Sequence, residues 1–315
     1  MKPHSSLDSA TWYLKYFALP LTVGAITMYK ILDCFSNRKR RVALQGKVVV
    51  ITGASSGIGE ALAHALYEQG SKVVLAARRE GELNRVKQDL IAKKLDLPVE
   101  EPVVLPLDLA DLDQVENFVQ KVYEICGHID ILINNGGITH RGAIVHTKLE
   151  VDQQIMCVNY FGTVALTKAI LPKMVERQSG HIAFVSSVQG LIAIPGRSAY
   201  AAAKHAMQAF ADSLRAEMHQ HNINVTVISP GYVKTAISLN ALTGTGDKHG
   251  VMDPSTAAGL SPEYCAVKIM DSIVNKEKEI IISQFMPKLA VFVRRSMPSF
   301  YFWYMARRAT KSPIY

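Results

Sequence analysis

A chain of 315 residues with 49% hydrophobic and 20% charged residues can bury a large core, which excludes a disordered protein. The four cysteines form no C-x-x-C pair, so we expect neither a metal site nor a disulfide framework. Residues 1–47 and 286–315 each carry a net charge of +6, whereas the segment between them carries −4. Nucleic-acid binders carry positive charge on the folded face, so nucleic acid is not an expected partner. Unless both basic ends are merely solvated, this distribution is typical of a protein that lies against anionic lipid headgroups.

The N-terminal region predicts a membrane anchor. A short tail, residues 1–15, precedes an apolar segment, residues 16–35, and a basic linker, residues 36–45. The uncharged run has 14 residues, fewer than the roughly 20 that a span needs, so Lys30 must reach to the interface. The basic residues of the linker indicate a cytosolic catalytic domain, with the endoplasmic reticulum membrane as the favoured location. A lumenal orientation, a peroxisomal location and a helix lying in the interface remain alternatives.

Residues 46–285 predict one Rossmann-like doubly wound α/β domain, a parallel sheet of about seven strands with helices on both faces. The predicted strands are Lys47–Ile51, Lys72–Ala77, Val103–Leu107, Ile129–Ile133, His181–Ser186, Ile223–Ser229 and Glu279–Ile282. Amphipathic stretches between them predict helices at Gly57–Gln69, Glu80–Leu95, Leu112–Cys126 and Ser198–His221. Continuous apolar strands that alternate with helices indicate a parallel sheet with ligands at its carboxyl edge.

A glycine-rich turn follows the first predicted strand. Residues 52–59 read TGASSGIG and lead into a helix. Glycines let the backbone approach a pyrophosphate, and a helix N-terminus offers free N–H groups. We therefore expect a dinucleotide at this turn. The same stretch fits the G-x-S-x-G nucleophile elbow, but a hydrolase needs strands before the elbow, so a serine hydrolase is the less favoured alternative.

The ends of the next two strands predict the adenosine contacts. Arg78 and Arg79 follow the second strand, and no acidic residue lies at positions 76–79. An acid there would bind the ribose 2′-hydroxyl of NAD, whereas Arg accepts the 2′-phosphate of NADP, so NADP(H) is favoured through Arg78 and NAD(H) stays open. Asp108, with the adjacent Leu109, is the candidate adenine contact; Asp108 is otherwise a turn residue.

The candidate catalytic residues come from separate stretches of chain. Tyr200 and Lys204 are four residues apart on a predicted helix, so the phenol and the ammonium share a face. A nearby cation favours the phenolate, and we expect Lys204 to lower the pKa of Tyr200. Ser187 lies at the carboxyl edge of the sheet, where it can donate to a carbonyl oxygen. Asn159, on an earlier helix, can hold a water or bridge backbone groups.

Together these residues resemble the short-chain dehydrogenase/reductase family. The matching elements, in chain order, are TGASSGIG at 52–59, NNGG at 134–137, Asn159, Ser187, Tyr200-x-x-x-Lys204 and PGYVKT at 230–235. The resemblance covers residues 46–285, and longer runs such as VNYFGTVALTKAILP are similar to its membrane-bound member 7 branch. One departure is Gly136, where the family usually has Ala; this lowers backbone rigidity but removes no chemical group.

The resemblance implies hydride transfer between nicotinamide C4 and a carbonyl carbon. It makes Tyr200 the proton donor and acceptor, Lys204 a ligand of the nicotinamide ribose and Ser187 the group that orients the substrate carbonyl. It makes Asn159 the residue that holds a relay water. With the strand-end candidates, the residues expected at the cofactor are Gly53, Ser55, Ser56, Gly57, Ile58, Gly59, Arg78, Asp108, Leu109, Asn135, Tyr200, Lys204, Val233 and Thr235. Family members often form homodimers through the helix that carries the Tyr.

The C-terminal part predicts a lipophilic substrate. Residues 236–260 are long and rich in Gly, Thr and apolar residues, which favours a mobile lid. Residues 286–315 combine aromatic residues with Arg, as expected of a segment in the membrane interface, or of a helix that covers the domain or a dimer partner. The expected substrates are steroids, retinoids or lipid ketones. A membrane-bound cofactor-binding protein without turnover is the alternative function.

Overall fold

The computed structural model describes Met28 and residues 35–310. The strands are β1 Val48–Thr52, β2 Lys72–Ala77, β3 Val103–Pro106, β4 Ile131–Asn134, β5 His140–Arg141, β6 Gly180–Val185, β7 Ile223–Pro230, β8 Leu242–Thr243 and β9 Glu279–Ile282. The α-helices are α1 Gly57–Glu68, α2 Glu80–Ile91, α3 Gln114–Cys126, α4 Leu149–Met156, α5 Gly162–Glu176, α6 Ser198–Met218, α7 Pro254–Ala257, α8 Pro262–Val274, α9 Phe285–Ser296 and α10 Pro298–Thr310. The chain divides into two compact units, before and after Leu44, and the helical residues 35–43 belong to the first.

Among the described residues, seven strands form one parallel sheet in the order β3-β2-β1-β4-β6-β7-β9. The chain moves outward from β1 to β3 and then returns to the other side of β1, where Val49 pairs with Ile131 of β4. The strand order therefore reverses between β1 and β4, which is where open α/β sheets bind ligands. The predicted Rossmann-like doubly wound fold is confirmed.

The central strand explains why the apolar runs are continuous. Val49 and Ile51 of β1 belong to one apolar cluster with residues of α1 and α8. Val48 and Val50 belong to a cluster on the other face, with residues of α3, α5 and α6. Successive strand residues point to opposite faces, so a strand covered on both sides must be apolar at every position. Each such buried side chain stabilises the fold by about 2 kcal/mol.

A long apolar helix runs along one face of the sheet. It comprises α4, the π-helical stretch Cys157–Phe161 and α5. Of the residues that the structure describes, only this helix is long and apolar enough to cross a membrane, with a mean hydropathy of 1.3. Leu166 and Ile170 are fully buried against the sheet, so its apolar residues serve the domain core. The predicted anchor at residues 16–35 lies outside the described residues, apart from Met28 and Phe35, and stays a prediction.

The segment expected to be a lid, residues 236–260, carries regular structure. Its strand β8 pairs in parallel with β5, with Leu242 opposite His140. A turn follows, in which the N–H of Thr243 donates to the carbonyl of Asp247 over 2.7 Å. Asp253, just before α7, is bonded to Arg141 of β5. The segment is thus attached to the domain by a strand pair and by an ion pair.

The two C-terminal helices pack on the loop that follows β6. Val291 of α9 and Tyr301 and Met305 of α10 form an apolar cluster with Val188 and Ile192. The hydroxyl of Tyr301 donates to the carbonyl of Ala193 over 2.8 Å. The buried face of this region therefore covers the domain itself. Its other face exposes large apolar residues, namely Phe285, Met286, Phe292, Met297, Phe300, Phe302, Trp303 and Tyr304.

Candidate active site

A large cavity opens at the carboxyl ends of β1 and β4, where the strand order reverses. Its volume is about 1020 Å³, enough for a dinucleotide and part of a substrate. Its wall includes all of the site residues expected from the sequence except Gly59 and Asn159. Strand ends and loops from distant parts of the chain therefore converge on one space.

The glycine turn has a shape that other residues would not fit. Gly53 and Gly57 have φ angles of +66° and +62°, which favour glycine. A Cβ on Gly57 would lie 3.0 Å from Cγ2 of Thr235, so the gap between the turn and Thr235 is narrow. A Cβ on Gly59 would lie 2.2 Å from the carbonyl oxygen of Gly53, so Gly59 allows the turn to pack on α1 and does not face the cavity. Because α1 begins at Gly57, its free N–H groups lie beside the turn, an arrangement that fits a pyrophosphate.

An arginine that received little weight in the sequence reasoning lies beside the turn. Nη2 of Arg79 donates to the hydroxyls of Ser55 and Ser56, each over 3.0 Å. Arg78 also borders the cavity and is exposed. The cavity thus has two guanidinium groups where β2 ends, and the serine hydroxyls hold one of them. The hydroxyls of Ser55 and Ser56 that bind Arg79 come from a different part of the chain. The residues next to Arg79 in the sequence therefore do not show that this arginine is held at the cavity.

Two further cofactor candidates also have structural contacts. The side-chain amide of Asn135 donates to the carbonyl of Thr52 over 2.9 Å, which ties the end of β4 to the end of β1. Oδ1 of Asp108 accepts from the N–H of Ala110 over 2.9 Å and closes a turn after β3. Both residues line the cavity. Their hydrogen bonds fix the shape of the cavity wall. Each side chain has a second polar atom that can face a ligand.

Gly136 is matched to Leu109. A Cβ at Gly136 would lie 2.7 Å from Cδ1 of Leu109. The larger Leu109 side chain therefore takes the space that the usual Ala would fill. Leu109 also lines the cavity.

Tyr200 and Ser187 meet at the centre of the site. The side chain of Ser187 lies close enough to the Tyr200 hydroxyl to lower the pKa of the phenol, although the two residues come from α6 and from the loop after β6. Oγ of Ser187 also accepts from the N–H of Gln189 over 3.1 Å, which fixes the serine side chain. Burial raises the pKa of Tyr200, and the neighbouring Ser187 side chain and the charges of Arg197 and Arg141 offset this only in part.

Lys204 lies beside Tyr200 and donates a hydrogen bond to the main chain. Its ammonium donates to the carbonyl of Val185 over 2.9 Å and lies 5.8 Å from the centre of the Tyr200 ring. Burial lowers the pKa of Lys204 to about 8. That Lys204 lowers the pKa of Tyr200 stays a prediction; burial is the largest influence on the phenol and outweighs the neighbours that lower its pKa.

Asn159 lies in the π-helical stretch and bridges backbone groups. Its Oδ1 accepts from the N–H of Ile138, and its Nδ2 donates to the carbonyl of Ile138, each over 2.8 Å. The sequence predicts that this amide either holds a water or bridges backbone groups, and in the structure it bridges backbone groups. The bridge fixes the loop after β4, which forms part of the cavity wall.

The sequence reasoning missed a charged cluster in the cavity wall. Arg141, in β5, and Arg197, just before α6, are both bonded to the carboxylate of Asp253. Val233 and Thr235, which were expected at the carboxamide, line the same cavity. A pair of Arg residues in otherwise apolar surroundings was the available signal, but the two lie 56 positions apart and only the fold joins them.

The comparisons with known proteins agree with this geometry. A family model described as short chain dehydrogenase matches residues 47–244. A Drosophila melanogaster protein named Dehydrogenase/reductase SDR family protein 7-like is 52% identical over 98% of this chain and 94% of its own. A Xenopus tropicalis protein named Dehydrogenase/reductase SDR family member 7B is 43% identical over 97% of this chain and 98% of its own. The chain belongs to the short-chain dehydrogenase/reductase family, and the resemblance to its member 7 branch, the 7B type in particular, is confirmed.

Solved structures share the fold. A short-chain dehydrogenase/reductase from Burkholderia phymatum in complex with NAD matches with a TM-score of 0.71 at 23% identity, over 82% of this chain and 95% of that one. An alcohol dehydrogenase from Thermococcus sibiricus complexed with 5-hydroxy-NADP matches with a TM-score of 0.64 at 25% identity, over 76% and 97%. The fold is one that binds NAD(P), and family membership removes the serine hydrolase alternative.

Proposed function

We propose that this chain is an NADP(H)-dependent oxidoreductase that transfers hydride between the nicotinamide and the carbonyl or hydroxyl carbon of a lipophilic substrate such as a steroid, a retinoid or a lipid ketone. The observation that carries the proposal is the convergence of Tyr200, Ser187 and Lys204 on one cavity beside the glycine turn. When bound, the nicotinamide would supply or accept the hydride. The remaining tasks, which are proton transfer, orientation and charge stabilisation, fall to residues of the chain.

Each polar group has a role that its contacts support. Tyr200 gives its phenolic proton to the carbonyl oxygen during reduction, and the neighbouring Ser187 donates to the same oxygen. Lys204 holds the nicotinamide ribose through its ammonium, which already lies against Val185 at the cavity wall. Asn159 keeps the loop after β4 in position through its amide. As the family resemblance implies, Asn159 also holds the relay water.

The preference for NADP(H) rests on the charge at the end of β2. Arg78 and Arg79 border the cavity there, and Arg79 is held by the hydroxyls of the glycine turn. A 2′-phosphate bound at this position would gain charge-assisted hydrogen bonds that a ribose hydroxyl cannot make. Gly53, Ser55, Ser56, Gly57 and Ile58 would hold the pyrophosphate. The contacts of Asp108, Leu109, Asn135, Val233 and Thr235 with the cofactor are part of the same proposal.

The lipophilic substrate and the membrane location are supported by the C-terminal helices. Met286, Leu289, Val293 and Phe300 line the cavity, and large aromatic residues on the same helices are exposed. Arg294 and Arg307 lie over the rings of Phe302 and Trp303, at 4.6 Å and 4.2 Å from the ring centres. Rings and cations side by side suit the headgroup region of a membrane. We place the protein on the endoplasmic reticulum membrane, with the domain in the cytosol, and include a homodimer in the proposal.

The test uses purified full-length protein in detergent, NADPH and a panel of hydrophobic ketones, with NADPH consumption as the readout. Tyr200→Phe is expected to lower turnover by about 100-fold or more, because no other group supplies the proton. NADPH should still bind to this variant, as measured by its fluorescence. Tyr264→Phe, which changes an exposed tyrosine outside the cavity, is the matched control and should keep full activity.

Two outcomes would contradict the assignment. Turnover by Tyr200→Phe at the wild-type rate would show that another group supplies the proton. Tight NADPH binding by the wild-type protein without reduction of any ketone would favour the second candidate, a membrane-bound cofactor-binding protein without turnover.

A further inference from the structure

The two C-terminal helices expose aromatic residues among charges of one sign. Phe302 and Trp303 of α10 are exposed, and with the neighbouring Arg294 and Arg307 they form a surface that we call the outer face. Residues 286–315 contain six Lys and Arg and no Asp or Glu. Within residues 35–310, no carboxylate forms an ion pair with any arginine of α9 or α10. Exposed apolar clusters mark docking sites, and the charge of this one requires a negative partner.

The cavity opens beside the outer face. Met286 of α9 and Phe300 and Tyr304 of α10 line the cavity and are 66%, 50% and 51% exposed, whereas Tyr200, deeper in the same wall, is buried. Exposed side chains in the wall mark where the cavity meets the exterior, and we call these three residues the mouth. The ring of Phe300 stacks on that of Trp303 with 5.6 Å between the ring centres. The mouth therefore borders the outer face.

An apolar wall leads from the mouth to the catalytic residues. Val293 of α9 packs against the cluster that contains Val188 and Ile192, in the loop after β6, and all three residues line the cavity. Val188 directly follows Ser187 in the chain. A lipid chain that enters at the mouth can thus reach the reacting centre along apolar side chains.

The charge of the outer face favours an anionic bilayer over a second copy of the chain. In a twofold-symmetric dimer through this face, Arg294 and Arg307 of both copies would meet, and residues 286–315 offer no acidic residue to pair with them. Anionic lipid headgroups supply the missing negative charge. Aromatic rings suit the boundary between headgroups and acyl chains.

We propose that the outer face of α9 and α10 lies on an anionic bilayer, so that the mouth opens into the membrane and the substrate passes directly from the lipid into the cavity. This inference rests on the proposed function, to which it adds the route of the substrate. A lipophilic molecule then never has to cross water. The cofactor, which is charged and soluble in water, is expected at another part of the wall, at the glycine turn and the end of β2.

Tryptophan fluorescence tests the position of the mouth. Full-length protein is placed in bilayers of phosphatidylcholine and phosphatidylserine, with or without bromine on the acyl chains. Trp12 and Trp303 are the only tryptophans of the chain, so Trp12→Phe leaves Trp303 as the probe of the outer face. Met286→Trp, in a protein without both native tryptophans, is the probe of the mouth. Brominated lipid should lower the fluorescence of each probe by about half or more, since an interfacial helix reaches the acyl-chain boundary.

Ile125→Trp in the same background is the matched control. Ile125 is 49% exposed, lies in the last turn of α3 and borders the start of β3, at the sheet edge opposite the cavity. Its fluorescence should fall by less than about a tenth. In bilayers of phosphatidylcholine alone, quenching of Trp303 should be about twofold weaker, because the anionic headgroups are missing. Equal quenching in both lipids would overturn the preference for an anionic bilayer.

Two ketones test the route, namely a long-chain ketone held in the bilayer and a short ketone soluble in water. The readout is the ratio of kcat/KM for the long ketone to that for the short one, with NADPH. Met286→Glu should lower this ratio by about tenfold or more, since an apolar chain must then pass a charged group at the mouth. Ile125→Glu should keep the wild-type ratio. Phe300→Glu repeats the test at a second residue of the mouth and serves where Met286→Glu does not fold.

The outcomes separate this inference from the proposed function. Where the ketones are reduced but brominated lipid does not quench the Met286→Trp probe, the route is overturned and the reductase stands. Trp303 that is shielded from iodide in water and not quenched by brominated lipid would indicate a second copy on the outer face, which also overturns the route. An equal loss for both ketones in Met286→Glu would mean that the mouth only shapes the cavity. If no ketone is reduced, the proposed function fails, and quenching of the Met286→Trp probe alone decides whether the mouth lies in the bilayer.

Discussion

At the scale of single residues, burial dominates the chemistry of the catalytic pair. Lys204 is buried and donates to Val185, and burial lowers the pKa of its ammonium to about 8. Burial raises the pKa of Tyr200. The ammonium of Lys204 lies 5.8 Å from the centre of the Tyr200 ring, and loss of hydration is the largest influence on the pKa of each group. The positive ring or the ribose hydroxyls of a bound nicotinamide nucleotide would change the pKa values of Tyr200 and Lys204.

The lowered pKa of Lys204 makes stability depend on pH. Between about pH 8 and the usual lysine value near 10.5, the unfolded chain binds more protons at this residue than the folded one. The free energy of unfolding should therefore rise with pH across this window, by roughly 3 kcal/mol from this group. Lys204→Met removes the ammonium group, so this variant should not show the rise of the free energy of unfolding with pH. Urea unfolding of both proteins between pH 7.5 and 10 measures it, and parallel curves would contradict the lowered pKa.

The arginines at the end of β2 are predicted to select the cofactor. Arg78→Ala and Arg79→Ala should each weaken NADPH binding far more than NADH binding, by about tenfold or more, because only NADPH carries the 2′-phosphate. Titration of protein fluorescence with each cofactor gives the dissociation constants. An equal loss for both cofactors would remove the case for a phosphate site. Arg79→Ala also removes the bonds to Ser55 and Ser56, so its effect should extend to the shape of the turn.

At the scale of secondary-structure elements, the junction of β1 and α1 depends on close backbone contact. Gly59→Ala would place a Cβ 2.2 Å from the carbonyl oxygen of Gly53. Because the Cβ is attached to the main chain and the oxygen is part of it, the contact can be relieved only by moving the backbone. We expect this substitution to destabilise the protein by about 3 kcal/mol and to weaken NADPH binding. Gly81→Ala is the matched control, because a Cβ there meets nothing within 4 Å and the residue lies in α2. It should be neutral or stabilise the helix by up to about 1 kcal/mol.

Thermal unfolding and NADPH titration of the two variants test this pair. Equal melting temperatures for Gly59→Ala and Gly81→Ala would refute the packing role of Gly59. A normal melting temperature with weak cofactor binding would instead make Gly59 a direct contact of the pyrophosphate, as the resemblance implied.

At the scale of the whole molecule, two ends of the chain are predicted to meet the membrane. Deleting residues 1–41 should release at least part of the protein from carbonate-washed membranes, since the apolar segment at 16–35 is removed. Full-length protein, kept in the pellet, is the reference. The measurement is the soluble fraction after ultracentrifugation. If the deletion variant stays entirely in the membrane, the exposed aromatic and basic residues of α9 and α10 are the main anchor.

Sequence patterns were sufficient for the elements that obey local rules. The seven strands of the main sheet were predicted to within two residues, because a strand buried on both faces must be continuously apolar. The two-residue strands β5 and β8 were not predicted. The helix predicted at Glu80–Leu95 ends at Ile91 in the structure, since amphipathic spacing does not show where a helix ends. The π-helical stretch around Asn159 has no signature in the residue pattern. Asn159 in this stretch is hydrogen-bonded to Ile138 in the loop after β4.

The sequence by itself determined the family, the parallel sheet and the set of residues that reach its carboxyl edge, because strand periodicity, glycine turns and short motifs are local properties. Only the tertiary structure decided the protonation balance of Tyr200 and Lys204, since burial is a property of the whole packed domain. The joining of Arg141, Arg197 and Asp253 across 112 positions is decided there too, because long-range ion pairs leave no trace in residue spacing.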